Sequence, residues 1–103
     1  MYKLEYLPIA QKDMTEIVTY ISQELSNSIA AEKLAEEMVA AAEKLKGFPY
    51  ANALYIPLKP LKNEYRKLIV KNFIMFYWVD ESTNTITIAR VLYSKRDFSQ
   101  ALT

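Results

Sequence analysis

Two polar interruptions, Lys71-Asn72 and Asp80 to Asn84, cut the run from Tyr65 to Leu92 into three short stretches rich in β-branched and aromatic residues. Connections this short join strands only as antiparallel neighbours. Tyr65–Val70, Phe73–Val79 and Thr85–Leu92 are therefore predicted to form a meander, with Asn72 supplying the positive φ of a tight first turn. Side chains alternate along a strand, so Phe73, Met75 and Tyr77 face one way and Ile74, Phe76 and Trp78 the other. Both faces are apolar, and a layer of two helices covers only one of them, which leaves the second to the C-terminal tail or to a partner.

Two helices are available to form that layer. Tyr2, Leu4 and Tyr6 alternate in a short strand that Pro8 ends, and proline suits the first turn of a helix. Met14, Ile17, Val18, Ile21 and Leu25 then recur at three- and four-residue steps, predicting a helix over residues 9–25 with one apolar stripe. Ser26-Asn27-Ser28 offers capping oxygens for a second helix, in which Leu34, Met38, Ala41 and Leu45 repeat before Gly47 and Pro49 stop it. The expectation is an α+β fold: an N-terminal strand, then an αα-hairpin packed on a small antiparallel sheet, in the order β-α-α-β-β-β. At 103 residues the chain supports a single domain, 1–103.

Composition excludes several chemistries. With no cysteine and no histidine there is no disulfide, no thiol nucleophile, and no zinc or haem site built on those ligands. The single glycine, Gly47, rules out phosphate-cradling loops, so neither a metal nor a cofactor is expected. The longest apolar run, Phe73 to Val79, falls far short of the roughly 20 residues a membrane helix needs, and the N-terminus lacks an apolar leader. A soluble cytoplasmic protein is the expectation.

Charge is unevenly distributed. Residues 1–58 carry five basic and eight acidic side chains, net −3, whereas residues 59–103 carry eight and four, net +4. That split favours nucleic acid or an acidic protein segment as partner to the second half. Arg66 and Arg90 fall inside predicted strands, where a charge must reach an edge, meet a partner, or pair with a helix carboxylate such as Glu36 or Asp13. Lys59, Lys62, Lys67, Lys95 and Arg96 are each explained singly as solvated surface, and only their clustering marks them. Trp78 and Phe76 could stack on bases or hold a helix or strand of a partner. RNA cleavage without histidine would fall to lysine, tyrosine, Glu64 and arginine.

Three segments, LPIAQKDMTEIVTYI, EYRKLIVKNFIMFYWVDE and ITIARVLYSKRDF, resemble in order and spacing the first helix, central hairpin and last strand with tail of the RelE/ParE superfamily of toxins from bacterial type II toxin–antitoxin modules. The resemblance spans nearly the whole chain. It implies a cognate antitoxin that wraps the toxin, and one of two targets: mRNA in the ribosome, cut by RelE-like members, or DNA gyrase, poisoned by ParE-like members that are not nucleases. Arg66 falls on the family's common basic position in the first hairpin strand, Lys67 near a lysine used by the nucleases, and Arg90 on an arginine of the last strand. Many nuclease members carry an arginine after the hairpin turn, where this chain reads Phe73-Ile74-Met75-Phe76-Tyr77. Tyr93 stands where many have histidine, and Phe98 lies near a catalytic tyrosine position.

These departures favour the ParE-like branch over an enzyme. Cleavage, if present, would use Arg66, Lys67, Arg90 and Tyr93. A target would meet Lys59, Lys62, Arg66, Arg90, Lys95 and Arg96. The antitoxin would cover Phe76 and Trp78 and pair with Arg66, Arg90, Lys95 and Arg96. A non-toxic module that docks an acidic peptide is the third reading.

Overall fold

The computed structural model describes residues 1–102. A short strand β1 (Lys3–Tyr6) leads into helix α1 (Pro8–Thr19), continued by a π-helical turn over Tyr20–Glu24, and then helix α2 (Ser28–Lys44). After an irregular segment come β2 (Arg66–Val70), β3 (Phe73–Asp80) and β4 (Thr85–Tyr93). Pro8 opens α1 as expected, and Asn27 caps α2 by accepting a hydrogen bond from the Ala30 N–H at 3.1 Å. The predicted stripe of α1 holds at Met14, Ile17 and Ile21, which pack on the core. It fails at Leu25, which is exposed. The π turn, marked by the Leu25 N–H donating to the Tyr20 carbonyl, winds wider than an α-helix and carries Leu25 off the buried face.

The meander forms as predicted, β2 on β3 and β3 on β4, both antiparallel. In the sheet order β1-β4-β3-β2, however, β1 lies parallel to β4, with Lys3 opposite Thr85 and Tyr6 opposite Ile88, so the sheet is mixed rather than wholly antiparallel. The αα-hairpin supplies the long crossover that a parallel neighbour demands. Asn84 sets the register: its carbonyl accepts from the Lys3 N–H at 2.9 Å, and its side chain donates to the Met1 carbonyl at 3.1 Å. In the first hairpin turn the positive φ falls on Lys71 (55°), not on Asn72. The Lys71 ammonium lies 3.8 Å from the Glu37 carboxylate of α2, which draws the turn toward the helix layer.

A bulge interrupts β4. Phe76 faces Arg90 while Tyr77 faces Ile88, leaving Ala89 as the extra residue. Ile88 and Val91 thereby both reach the helix side, and Ala89 and Leu92 the other. On the helix side Met38, Met75, Ile86 and Ile88 lose all solvent contact, each such burial contributing about 1.5–3 kcal/mol. The second face is also covered. Tyr55, Leu61, Phe98, Ala101 and Leu102 pack over Ile74, Phe76 and Leu92, so the loop before β2 and the C-terminal tail do what the helices cannot.

Candidate functional site

Arg66 begins β2 opposite Tyr77, at the end of the sheet where the segment after α2 folds back. Its Nη1 donates to the Asn52 carbonyl at 2.8 Å, and its guanidinium lies 4.9 Å from the centre of the Tyr50 ring, a cation–π contact. The buried Tyr77 hydroxyl donates to the Pro49 carbonyl at 2.8 Å. Tyr50 in turn donates to Glu81, as does Tyr2 at 2.7 Å. Residues 49–52 are thus tied to β2, to β3 and to the turn that follows β3. The Glu81 bond pushes the Tyr50 phenol up to about 12. The same two phenols hold the Glu81 carboxyl below the ordinary carboxylate value.

The product is an open cleft of about 480 Å³ lined by Tyr50, Lys62, Arg66, Trp78, Asp80 and Glu81. Trp78 is half-buried, its ring set edge-on to Tyr65 at 5.8 Å. Cations, carboxylates and aromatic edges meet here, a composition suited to a protein surface of mixed charge rather than to a bare phosphate chain.

Arg90 belongs to the interior. Its Nε donates to Asp13 Oδ2 at 2.8 Å, its Nη2 to Asp13 Oδ1 at 3.0 Å, and its Nη1 to the Ala101 carbonyl at 3.2 Å. Only 14% of the Arg90 side chain and 10% of the Asp13 side chain remain exposed. Of the three uses open to Arg90 on sequence, ion pairing to a helix carboxylate is the one realised. This corrects its assignment to the target, antitoxin and cleavage surfaces, because the side chain is nearly buried and three of its five N–H donors are engaged by α1 and the tail.

Tyr93 lies at the opposite end of the sheet. It pairs with Phe73, four positions along β3 from the partner of Arg66, which is roughly 13 Å at the rise of a strand. With Arg96 it borders a mostly apolar groove of about 630 Å³ against Ile17, Tyr20 and Ile21. The Tyr93 ring sits edge-on to Phe73 at 5.9 Å.

The predicted site residues therefore separate. Lys62, Arg66 and Trp78 share one cleft, Tyr93 and Arg96 another, and Arg90 is locked between α1 and the tail. Lys67 is half-buried on β2, its N–H donating to the Ala53 carbonyl at 2.9 Å, while Lys59 and Lys95 are exposed. Phe76 is a second correction. It is fully buried, enclosed edge-on by Tyr55, Tyr65 and Phe98, and presents no surface to an antitoxin. Sequence reasoning did not find Tyr2, Tyr50 and Glu81, whose meeting joins residues 79 positions apart in the case of Tyr2 and Glu81. No local pattern announces that cluster. Among the described residues no group of three or more Cys, His, Asp or Glu could hold a metal ion, and no helix is long and apolar enough to cross a membrane.

Known proteins share this architecture. The chromosomal ParDE system of P. aeruginosa contains a chain that superposes with a TM-score of 0.74 at 20% identity, covering 92% of this chain and 98% of that one. The RelBE2 toxin–antitoxin complex of Mycobacterium tuberculosis gives 0.64 at 16% identity, over 89% and 96%. The isolated RelE toxin of E. coli gives 0.58 at 17% identity, over 98% and 95%. No curated protein sequence matches the chain. The model of the ParE toxin of the type II toxin–antitoxin system parDE matches residues 4–98. Together with the helix hairpin on a basic meander, that match shows that the chain belongs to the ParE toxin family of type II toxin–antitoxin systems.

Proposed function

We propose that this toxin acts in the cytoplasm, is neutralised by a cognate antitoxin, and arrests growth by binding DNA gyrase rather than by cutting RNA. One observation carries the choice: the residues that cleavage would need are not assembled. Arg66 and Tyr93 stand at opposite ends of the sheet, and Arg90 spends its donors on Asp13 and Ala101. A base, an acid and a cation must lie within hydrogen-bond reach of one phosphate for in-line attack. Ile74, where many nuclease relatives carry arginine, is buried against the second-face cluster. In contrast, the Arg66 cleft offers the mixed charge and half-exposed aromatic surface of a protein contact.

Supercoiling by purified gyrase tests this reading. Added toxin should inhibit the reaction, the antitoxin should restore it, and primer extension on transcripts from arrested cells should find mRNA intact. Position-specific cuts within translated codons, with supercoiling unaffected, would replace it by the ribosome-dependent nuclease.

A further inference from the structure

Between the helix hairpin and β2 the chain makes an excursion that neither core cluster absorbs. Its feet are fixed. At one end the Tyr55 N–H donates to the Tyr65 carbonyl at 2.8 Å, and the Tyr55 ring stands edge-on to Phe76 and Phe98 at 5.4 and 5.9 Å. At the other end Leu61 packs into the same second-face cluster. Between these anchors Ile56 is 79% exposed and Leu58 fully exposed, more so than Phe48 and Tyr50, the other large apolar pair at that spacing beside the sheet. Pro57 and Pro60 restrict the backbone that carries them.

Two apolar knobs on a stiffened, doubly anchored loop lose little conformational freedom on docking. Beside them a concavity of about 340 Å³, lined by Tyr55, Ile56, Pro57, Pro60 and Leu61, can receive a side chain in return. Lys59 and Lys62 follow the knobs along the loop. Through Lys62 the loop runs into the Arg66 cleft, with which it also shares Asn63 and Glu64, whereas it shares no lining residue with the groove beside Tyr93.

We infer that the Ile56–Lys62 loop is the element that docks the toxin's target, seating Ile56 and Leu58 in an apolar socket whose rim carboxylates meet Lys59 and Lys62. The inference rests on the gyrase reading above. The charges of the surface choose a protein over a polyanion: Glu64, Asp80 and Glu81 border the same region, and a phosphate backbone or an anionic bilayer would have to approach all three.

The experiment is a gyrase supercoiling assay with wild-type toxin and the Ile56→Ser/Leu58→Ser double variant, run beside thermal melts and antitoxin titrations of both. The variant should need roughly 30-fold more toxin for the same inhibition, the factor that follows loss of a strongly contributing contact. Its melting temperature and antitoxin affinity should be unchanged. Leu58→Ser alone, at a side chain wholly in solvent, keeps the test open should the double variant fail to fold. Equal inhibition by variant and wild type would overturn the loop's role while leaving the gyrase reading in place. Absence of inhibition by the wild type would overturn the gyrase reading and this inference with it. Weakened antitoxin binding by the variant would assign the loop to the antitoxin instead, and binding of the loop to DNA or anionic vesicles would assign it to a polyanion; either result overturns the inference.

Discussion

Asp13 of α1 and Arg90 of β4, 77 residues apart in sequence, form a two-pronged ion pair at 2.8 and 3.0 Å. The same carboxylate accepts the Val91 N–H at 3.0 Å. β1 pairs with β4 only as far as Ile88, so beyond that point the strand edge would be bare. Asp13 finishes the edge with a side chain in place of a strand, and the neighbouring bulge at Ala89 brings Arg90 within its reach. Asp13 also holds the Arg90 guanidinium charged more firmly than usual, mainly through their hydrogen bond.

Removing one member should be much worse than removing both. Asp13→Ala leaves a buried guanidinium and an orphaned backbone donor, and should cost about 3–5 kcal/mol in urea unfolding. Asp13→Leu combined with Arg90→Met should recover most of that loss. If the double variant is no more stable than Asp13→Ala, the pair's contribution lies elsewhere than in compensating burial.

Tyr6 carries the opposite kind of polar atom. Its hydroxyl is buried without a hydrogen-bond partner, and burial pushes the phenol above its ordinary value, helped by Glu43. Tyr6→Phe removes the unsatisfied group and keeps the ring, so the variant should match the wild type or exceed it by up to about 1 kcal/mol. A clear loss of stability in chemical denaturation would reveal a bond that the hydroxyl makes in solution.

The tail closes the second face through Phe98, whose ring centroid is 4.9 Å from that of Phe76, and through the almost fully buried Leu102. Phe98→Ala should lower stability by about 2 kcal/mol, below the range of a fully buried phenylalanine because this ring is only half-buried. Binding of an apolar dye should rise as Phe76 becomes accessible. No change in dye binding would show that the loop around Tyr55 covers the face unaided.

Glu81 gives a titration with a definite sign. Hydrogen bonds from Tyr50 and then Tyr2 hold its carboxyl below the ordinary 4.5, and burial opposes them only in part. As the pH falls past 4.5, the unfolded chain takes up a proton before the folded one does, so the cluster's contribution is complete above 4.5 and is lost as the pH drops through the lower folded value. At the alkaline end Tyr50 stays protonated until about 12. Carbon-detected NMR of Glu81 should place its midpoint below 4.5, and Tyr50→Phe should raise it. A midpoint unmoved by that substitution would show that the contact does not persist in solution.

Local pattern was sufficient for much of this molecule because the physics concerned is local. Pro8, Asn27 and the spacing of Leu34, Met38 and Leu45 act within a turn or two of helix, and they place α1 and α2. The brevity of Lys71-Asn72 and of Asp80 to Asn84 compels the meander, and alternation assigns both faces of β3. Tertiary structure alone decided the rest. Whether β1 runs parallel or antiparallel is set by a partner strand 82 positions away, through the register of Lys3 on Thr85 and the bonds of Asn84. A one-residue bulge at Ala89 moves Arg90 off the face that Ile86 and Ile88 share, and nothing in the alternation of Ile86 to Leu92 announces it. A basic residue in a strand reads alike in either role, because charge is a property of the residue while its use depends on what the fold brings opposite. Arg66 found an aromatic ring and an open cleft, and Arg90 found Asp13.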